Sequence, residues 1–233
     1  MSLDRADQLA RRLGEVRARI ARACAAAGRA DDVTLVVVTK YFPASDVRLL
    51  ADLGVRDVGE NRHQEAEAKV ADCAGLDLRW HFIGALQSNK AAAVAAYADL
   101  VESLDRTKLV AALDRGASQR GRPLDVLLQV SLDPPGSEHR AGVDPADLAA
   151  LADAVAATSS LRLRGLMAVA PLGEEPAGAF ARLAEIRAGL VLRHPQATWL
   201  SAGMSGDLEE AVAAGATHVR VGSAILGSRP AVQ

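Results

Sequence analysis

The sequence predicts one α/β domain over residues 1–233, a (β/α)8 (TIM) barrel with an extra N-terminal helix. Three observations carry that expectation. Strand-like and helix-like segments alternate at intervals of roughly 25–30 residues, the pattern of βαβ units in a parallel sheet. About eight such units fit into 233 residues, the size of one closed barrel. The glycine-rich first turn that an open, doubly wound sheet would need is missing.

Residues 2–27 read as an amphipathic helix. Leu9, Leu13, Val16, Ile20 and Cys24 recur three or four apart, with arginines and acids on the opposite face. The first strand, 35–40, is the apolar run Leu35-Val36-Val37-Val38 followed by Thr39 and Lys40, which suits a strand buried on both faces. Pro43 breaks it, and a helix over 44–53 follows, closed by Gly54. A short strand over 55–58 runs into Gly59-Glu60-Asn61, with a charged helix over 62–72. Further strands are expected at 79–84, 100–104, 124–130, within 161–170, at 199–201 and at 218–222. Helices are expected at 89–96, 108–119, 144–157, 176–192 and 208–214. Asp144-Pro145 suits an N-cap and first turn, and Asp133-Pro134-Pro135-Gly136-Ser137-Glu138 is the most turn-rich segment.

Composition narrows the function. Hydrophobic residues make up 50%, enough for a large core, but only 3% are aromatic, which argues against a stacking platform for single-stranded nucleic acid. Lys and Arg total 27 against 29 Asp and Glu, so no polyanionic partner is indicated. Cys24 and Cys73 are too far apart for a local metal motif. With no apolar leader and no membrane-length stretch, a cytoplasmic protein with neither nucleic-acid nor membrane partners is expected.

The chemistry is expected at the strand C-termini, where barrels carry their sites. Lys40 ends the first strand, and a lysine amine among apolar walls is a nucleophile toward carbonyls. The plain alternative is a strand-end lysine whose head reaches water. Leu200-Ser201-Ala202-Gly203-Met204-Ser205-Gly206-Asp207 follows the seventh strand and opens a helix, offering hydroxyls, N–H groups and a close backbone approach to an anion. Arg220-Val221-Gly222-Ser223 ends the eighth strand, and the loops after strands seven and eight are where barrels often bind phosphate. Each loop alone could be an ordinary turn. Together with Lys40 they point to a phosphorylated carbonyl compound held as a Schiff base.

Several motifs add a resemblance. The VVVTK run ending on Lys40, Gly59-Glu60-Asn61, Trp80-His81-Phe82-Ile83-Gly84 with Gln87-Ser88-Asn89-Lys90, Gly165-Leu166-Met167, and the segment from Leu200 to Gly227 resemble the pyridoxal phosphate homeostasis protein family. These proteins are relatives of the alanine racemase barrel. The resemblance implies pyridoxal 5′-phosphate (PLP) bound as a Schiff base on Lys40, with phosphate contacts from Ser201, Ser205, Gly222 and Ser223. It places Arg220 at the pyridine nitrogen and Asn61, His81 and Met167 around the ring, although His81 and Met167 also suit plain core roles. Ala202, Arg62-His63 and Arg140 depart from the family pattern, which commonly has a methionine, an aromatic and a lysine there.

The implied function is a non-enzymatic, monomeric PLP carrier acting in vitamin B6 homeostasis and influencing amino-acid and keto-acid pools. PLP-dependent apo-enzymes are its candidate acceptors. Racemases of this barrel type use a second base from an additional β-domain, whereas this chain stops about ten residues after its eighth strand and has only Tyr41 and Tyr97. A weak amino-acid racemase and a cofactor-free Schiff-base phosphosugar lyase or isomerase are the rival readings.

Overall fold

A computed structural model describes residues 4–134 and 142–228. Arg140 and all of the turn-rich segment except Asp133 and Pro134 lie outside the described residues. The chain opens with α1 (Arg5–Ala26), where Asp4 accepts a hydrogen bond from the Arg5 N–H at 2.6 Å. Then come β1 (Thr34–Val38), α2 (Ala44–Asp52), β2 (Asp57–Glu60), α3 (His63–Asp72), β3 (Arg79–Phe82), α4 (Ala91–Tyr97) and β4 (Leu100–Leu104). A 3₁₀ turn (Thr107–Leu109) leads into α5 (Val110–Gln119), β5 (Leu124–Gln129), α6 (Leu148–Ala156) and β6 (Leu161–Met167). The remainder is α7 (Pro176–Arg193), β7 (Trp199–Ser201), α8 (Leu208–Ala213), β8 (His218–Val221) and α9 (Ser223–Leu226).

The eight strands form a closed parallel barrel in chain order, so the (β/α)8 expectation holds. Closure comes from β8 against β1, with Thr34 opposite His218 and Val37 opposite Val221. Side chains alternate along each strand. Val37, Val58, Trp80, Val219 and Val221 pack outward with Leu9, Leu13, Val47 and Leu50 of α1 and α2. A second outer cluster joins Val101, Val126, Leu128 and Leu166 to Leu113, Leu151, Phe180 and Leu183 of α5 to α7. The opposite parity, including Val36, Val38, Gly59, His81, Glu102, Met167, Ser201 and Arg220, therefore faces the lumen. No helix of the described residues is long and apolar enough to cross a membrane.

Three of the boundaries that differ from expectation have a clear local cause. β1 stops at Val38, two residues before Lys40, because the Thr39 carbonyl is taken by the Phe42 N–H (3.1 Å) and by Lys69 Nζ (2.7 Å). β2 starts at Asp57 because the Val55 N–H is tied back to Leu50 O at 2.9 Å. Asp144 caps a preceding turn instead of α6, its Oδ1 accepting from the Ala146 N–H at 2.8 Å, and the helix begins at Leu148.

Two glycines separate backbone need from accident. Gly165 in β6 has φ 153°, and a Cβ there would lie 1.9 Å from Trp199 O on the paired strand. Gly14, inside α1, has open space around it. Gly165→Ala should therefore lower stability by on the order of 3 kcal/mol, whereas Gly14→Ala should raise it by about 0.5–1 kcal/mol. Equilibrium urea unfolding of both variants checks the contrast.

Candidate functional site

Lys40 lies in a tight turn just beyond β1, followed by Tyr41 at φ 70°. A left-handed conformation costs a non-glycine residue roughly 1–2 kcal/mol, so something must hold it. The holder is a buried ionic cluster reaching up from β2 and α3. Glu65 Oε1 accepts from the Tyr41 N–H at 2.5 Å. Lys69 Nζ donates to Thr39 O, Glu60 Oε1 and Glu65 Oε1, each at 2.7 Å, and Thr39 Oγ1 donates to Glu60 Oε1 at 2.6 Å. Burial pushes the Glu60 carboxyl above its usual value, against the pull of Lys69 and Thr39. Lys69 is thus committed to the turn. Among the described residues, the Lys40 amine has no hydrogen-bond or ion-pair partner; the Tyr41 ring centroid is 6.0 Å away.

Lys40 opens onto a cavity of about 340 Å³ at the C-terminal mouth of the barrel. Val38, Phe42 and Ile83 give it apolar walls, and the β7 loop (Met204, Ser205, Gly206), the segment after β8 (Gly222, Ser223, Gly227, Ser228), Tyr41 and Arg220 line the rest. The loop after β7 is shaped by Gly203 at φ 88° and by the Met204 N–H donating to Asp207 Oδ1 at 2.6 Å. Gly222 lets β8 approach β1 closely, since a Cβ there would stand 3.2 Å from Val38 O. The Ser223 and Ser205 hydroxyls meet at 3.4 Å. One amine, three serine hydroxyls, one guanidinium and small-residue loops suit an anion that also carries a carbonyl. A larger cavity of about 630 Å³, between α1 and the opposite barrel end, includes Arg17, Cys24 and Asp57 but no lysine among its lining residues. Volume alone would favour it, yet a nucleophilic amine and paired hydroxyls are found only at the smaller one of the two.

Behind Arg220 runs a chain of polar side chains across the lumen. Arg220 NH1 donates to Ser201 Oγ at 2.7 Å, and Ser201 Oγ donates to Glu102 Oε2 at 2.6 Å. Glu102 Oε1 lies 2.7 Å from His81 Nδ1, and His81 Nε2 lies 2.9 Å from Asp57 Oδ1, which Arg79 meets at 2.7 Å. Burial alone would strip the His81 proton, but hydrogen bonds and charge from Asp57 and Glu102 reverse this and raise its pKa to about 9. Burial likewise opposes the Glu102 charge, and His81, Arg220 and Ser201 overcome it, bringing Glu102 to about 2. Burial lowers neighbouring His218 to about 4.

The structure brings Lys40, Ser205, Arg220, Gly222 and Ser223 to one cavity. It does not bring the other four expected residues there. Ser201 is fully buried, with its hydroxyl committed to Glu102 and Arg220. His81 is locked between two carboxylates, and Met167 packs with Leu100, Leu127 and Trp199 in the lumen. Asn61 lines a neighbouring recess of about 290 Å³ with Gln87 and Lys90. Sequence reasoning missed Glu60, Glu65, Lys69 and Glu102. The four-residue spacing of Glu65 and Lys69 was the available signal for the clamp; nothing in sequence marks Glu102.

The family model for the alanine racemase N-terminal domain matches residues 11–230. A curated relative in Mycobacterium leprae (strain TN), called pyridoxal phosphate homeostasis protein, is 42% identical over 243 residues, covering 96% of this chain and 94% of its own length. A relative of the same name in Pseudomonas aeruginosa is 45% identical over 226 residues, covering 95% and 96%. Among solved structures, PipY of Synechococcus elongatus PCC7942 with PLP bound is 39% identical with a TM-score of 0.83, covering 94% of this chain and 100% of PipY. Alanine racemase from Corynebacterium glutamicum, 18% identical with a TM-score of 0.67, shares the fold over 98% of this chain and 63% of its own.

Two outcomes follow from the buried charges. Lys69→Met should destabilise the chain by about 3–5 kcal/mol in urea unfolding, since it strands two carboxylates. Folded His81 holds its proton to about pH 9 against an ordinary value of 6.5, so its contribution is complete below 6.5 and lost as pH rises toward 9. Glu102, at about 2 against 4.5, contributes fully above 4.5 and loses this as pH falls toward 2; His218, neutral down to about 4 against 6.5, adds to the loss on the acid side. Stability measured across pH should decline above about 6.5, and His81→Gln should remove that alkaline limb. A limb that persists in the folded variant would assign it to another group.

Proposed function

Because the chain belongs to the alanine racemase N-terminal domain family, and within it to the pyridoxal phosphate homeostasis proteins, we propose that it binds PLP at the Lys40 cavity and serves PLP homeostasis. The observation that supports this most is the meeting of a lysine amine, without a hydrogen-bond or ion-pair partner among the described residues, with two facing serine hydroxyls in one cavity at the barrel mouth. The residues fit the group. Ser205 and Ser223 offer hydroxyl donors to its phosphate, while Gly206 and Gly222 leave room for that anion between the loops. Val38, Phe42 and Ile83 offer apolar surface to its ring. When bound, PLP supplies an aldehyde carbon that condenses with amines and a ring that withdraws electrons.

The Lys69 cluster fixes the turn that presents Lys40, so the amine is positioned with no ion pair to displace among the described residues. Arg220 lines the cavity with a guanidinium that keeps its protons and would be the group to meet the ring nitrogen, which such a donor would leave unprotonated. Among the described lining residues there is no carboxylate and no imidazole, and Lys40 and Tyr41 are consecutive in one turn. That arrangement favours holding the cofactor over exchanging protons at a substrate carbon. In this reading the protein is a monomeric cytoplasmic carrier whose acceptors are PLP-dependent apo-enzymes.

Incubation with PLP should give the visible absorbance that pyridoxal acquires on condensing with an amine, and borohydride reduction followed by peptide mapping should place the label on Lys40. Lys40→Ala should lose that absorbance; its retention, with label on Lys90, would overturn the assignment. Replacing both Ser205 and Ser223 by Ala should weaken PLP retention while sparing the fold. Exchange of the alanine α-proton should be no faster than with free PLP, and faster exchange would make the protein a racemase.

A further inference from the structure

The lumen of a barrel is usually filled by layers of branched aliphatic side chains. Here Asp57, His81, Glu102, Ser201 and Arg220 cross it in one hydrogen-bonded line, from the wall of the larger cavity to the Lys40 cavity. Apolar residues of similar volume would give comparable or greater stability, so stability alone does not account for this chain. We propose that Asp57, His81 and Glu102 are positioning residues that act through Ser201 to hold the Arg220 guanidinium in a single orientation at the cavity. The proposal rests on the PLP reading above, in which Arg220 meets the ring nitrogen.

With Asp57 and Glu102 ionised, the hydrogen-bond pattern admits one arrangement of protons. Both His81 nitrogens face carboxylate oxygens, at 2.7 and 2.9 Å, so both must donate and the ring is an imidazolium. Glu102 has both oxygens engaged, one by His81 and one by Ser201. Ser201 has a single proton and gives it to Glu102, which leaves its lone pairs to accept from Arg220. Arg220 NH2 donates to Ala168 O at 2.9 Å, so two contacts behind β6 and β7 fix the plane of the guanidinium. Its counter-charge is Glu102, 3.8 Å from NH1. The charges alternate along the line: minus on Asp57, plus on His81, minus on Glu102, plus on Arg220. Two further groups face the chain, Arg79 from β3 on Asp57 and His218 from β8 beside His81, and Asp207 adds a weaker pull on Arg220.

If Glu102 loses its charge, Arg220 loses its counter-ion and Ser201 loses the acceptor that directs its proton. The guanidinium is then free to turn, and the ring-nitrogen edge no longer meets a fixed donor. The experiment uses the full chain. Ring-labelled histidine NMR on the PLP-free protein should show His81 doubly protonated at about pH 7; a neutral His81 there would overturn the proposal. With PLP bound, the absorbance of the wild-type chain should stay constant between about pH 6 and 8. In Glu102→Gln, the His81 titration should fall by about one unit or more, the bound absorbance should become pH-dependent, and PLP affinity should drop roughly tenfold, the scale seen when groups orienting a ligand-bearing residue are removed. Ser201→Ala, a milder change should Glu102→Gln not fold, should shift the absorbance in the same direction. Folded variants with wild-type spectrum and affinity overturn the positioning role alone. A wild-type chain that gains no absorbance with PLP overturns the function proposed above, and the positioning role with it.

Discussion

Everything at the mouth of this barrel depends on the pairing of its last strand with its first. Four residues of β8 lie beside four of β1, from Thr34 with His218 to Val37 with Val221. That pairing sets Lys40 next to Gly222 and Ser223, residues more than 180 positions later in the chain. Gly222 makes the approach close, and the β7 loop completes the ring of small residues through Ser205 and Gly206. Parallel strands place all their C-termini at one end, so a cavity at that end collects whatever the loops carry. The amine, the hydroxyls and the guanidinium meet because closure leaves them nowhere else to go.

Closure also buries the lumen, which decides how its charges behave. A lone buried carboxylate or imidazolium would be expensive, and each one here is answered by a neighbour of opposite sign. Two such groupings flank the cavity. The Glu60, Glu65 and Lys69 cluster supports the turn below Lys40, and the chain from Asp57 to Arg220 supports the far wall. One Glu60 oxygen, Oε2, is buried with no hydrogen-bond partner, in keeping with a carboxyl pushed toward its neutral form by burial. The residues at the cavity surface are simple; their placement is inherited from ionic groups that a solute never touches.

Sequence patterning revealed the fold and the cavity floor but not this supporting layer. Lys40, Ser205, Gly222 and Ser223 were legible because they sit where strands end and where glycine and serine break the apolar pattern. The resemblance put Ser201 and His81 at the cofactor, and they lie deeper in the lumen than the cavity, because a strand's alternation gives the face a side chain takes but not its depth. Met167 shares the lumen-facing parity and is simply packed there. Asn61 follows β2 directly, yet it turns toward the recess shared with Lys90. Lys69 was passed over for the opposite reason. A lysine within a charged helix reads as solvated, and only the fold brings Thr39 O beneath it.

The first helix of the chain has partners that are made last. Leu9, Leu13 and Val16 pack with Leu208, Val212, Ile225 and Leu226, Arg19 pairs with Glu209, and Arg5 reaches Leu226 O. During synthesis, α1 emerges from the ribosome some two hundred residues before those surfaces exist. A nascent chain therefore displays a helix whose apolar face is only partly covered, by α2 and the first strands, until residues 208–226 follow. Such a chain is a natural client for chaperones, and a prematurely terminated one a natural target for proteolysis.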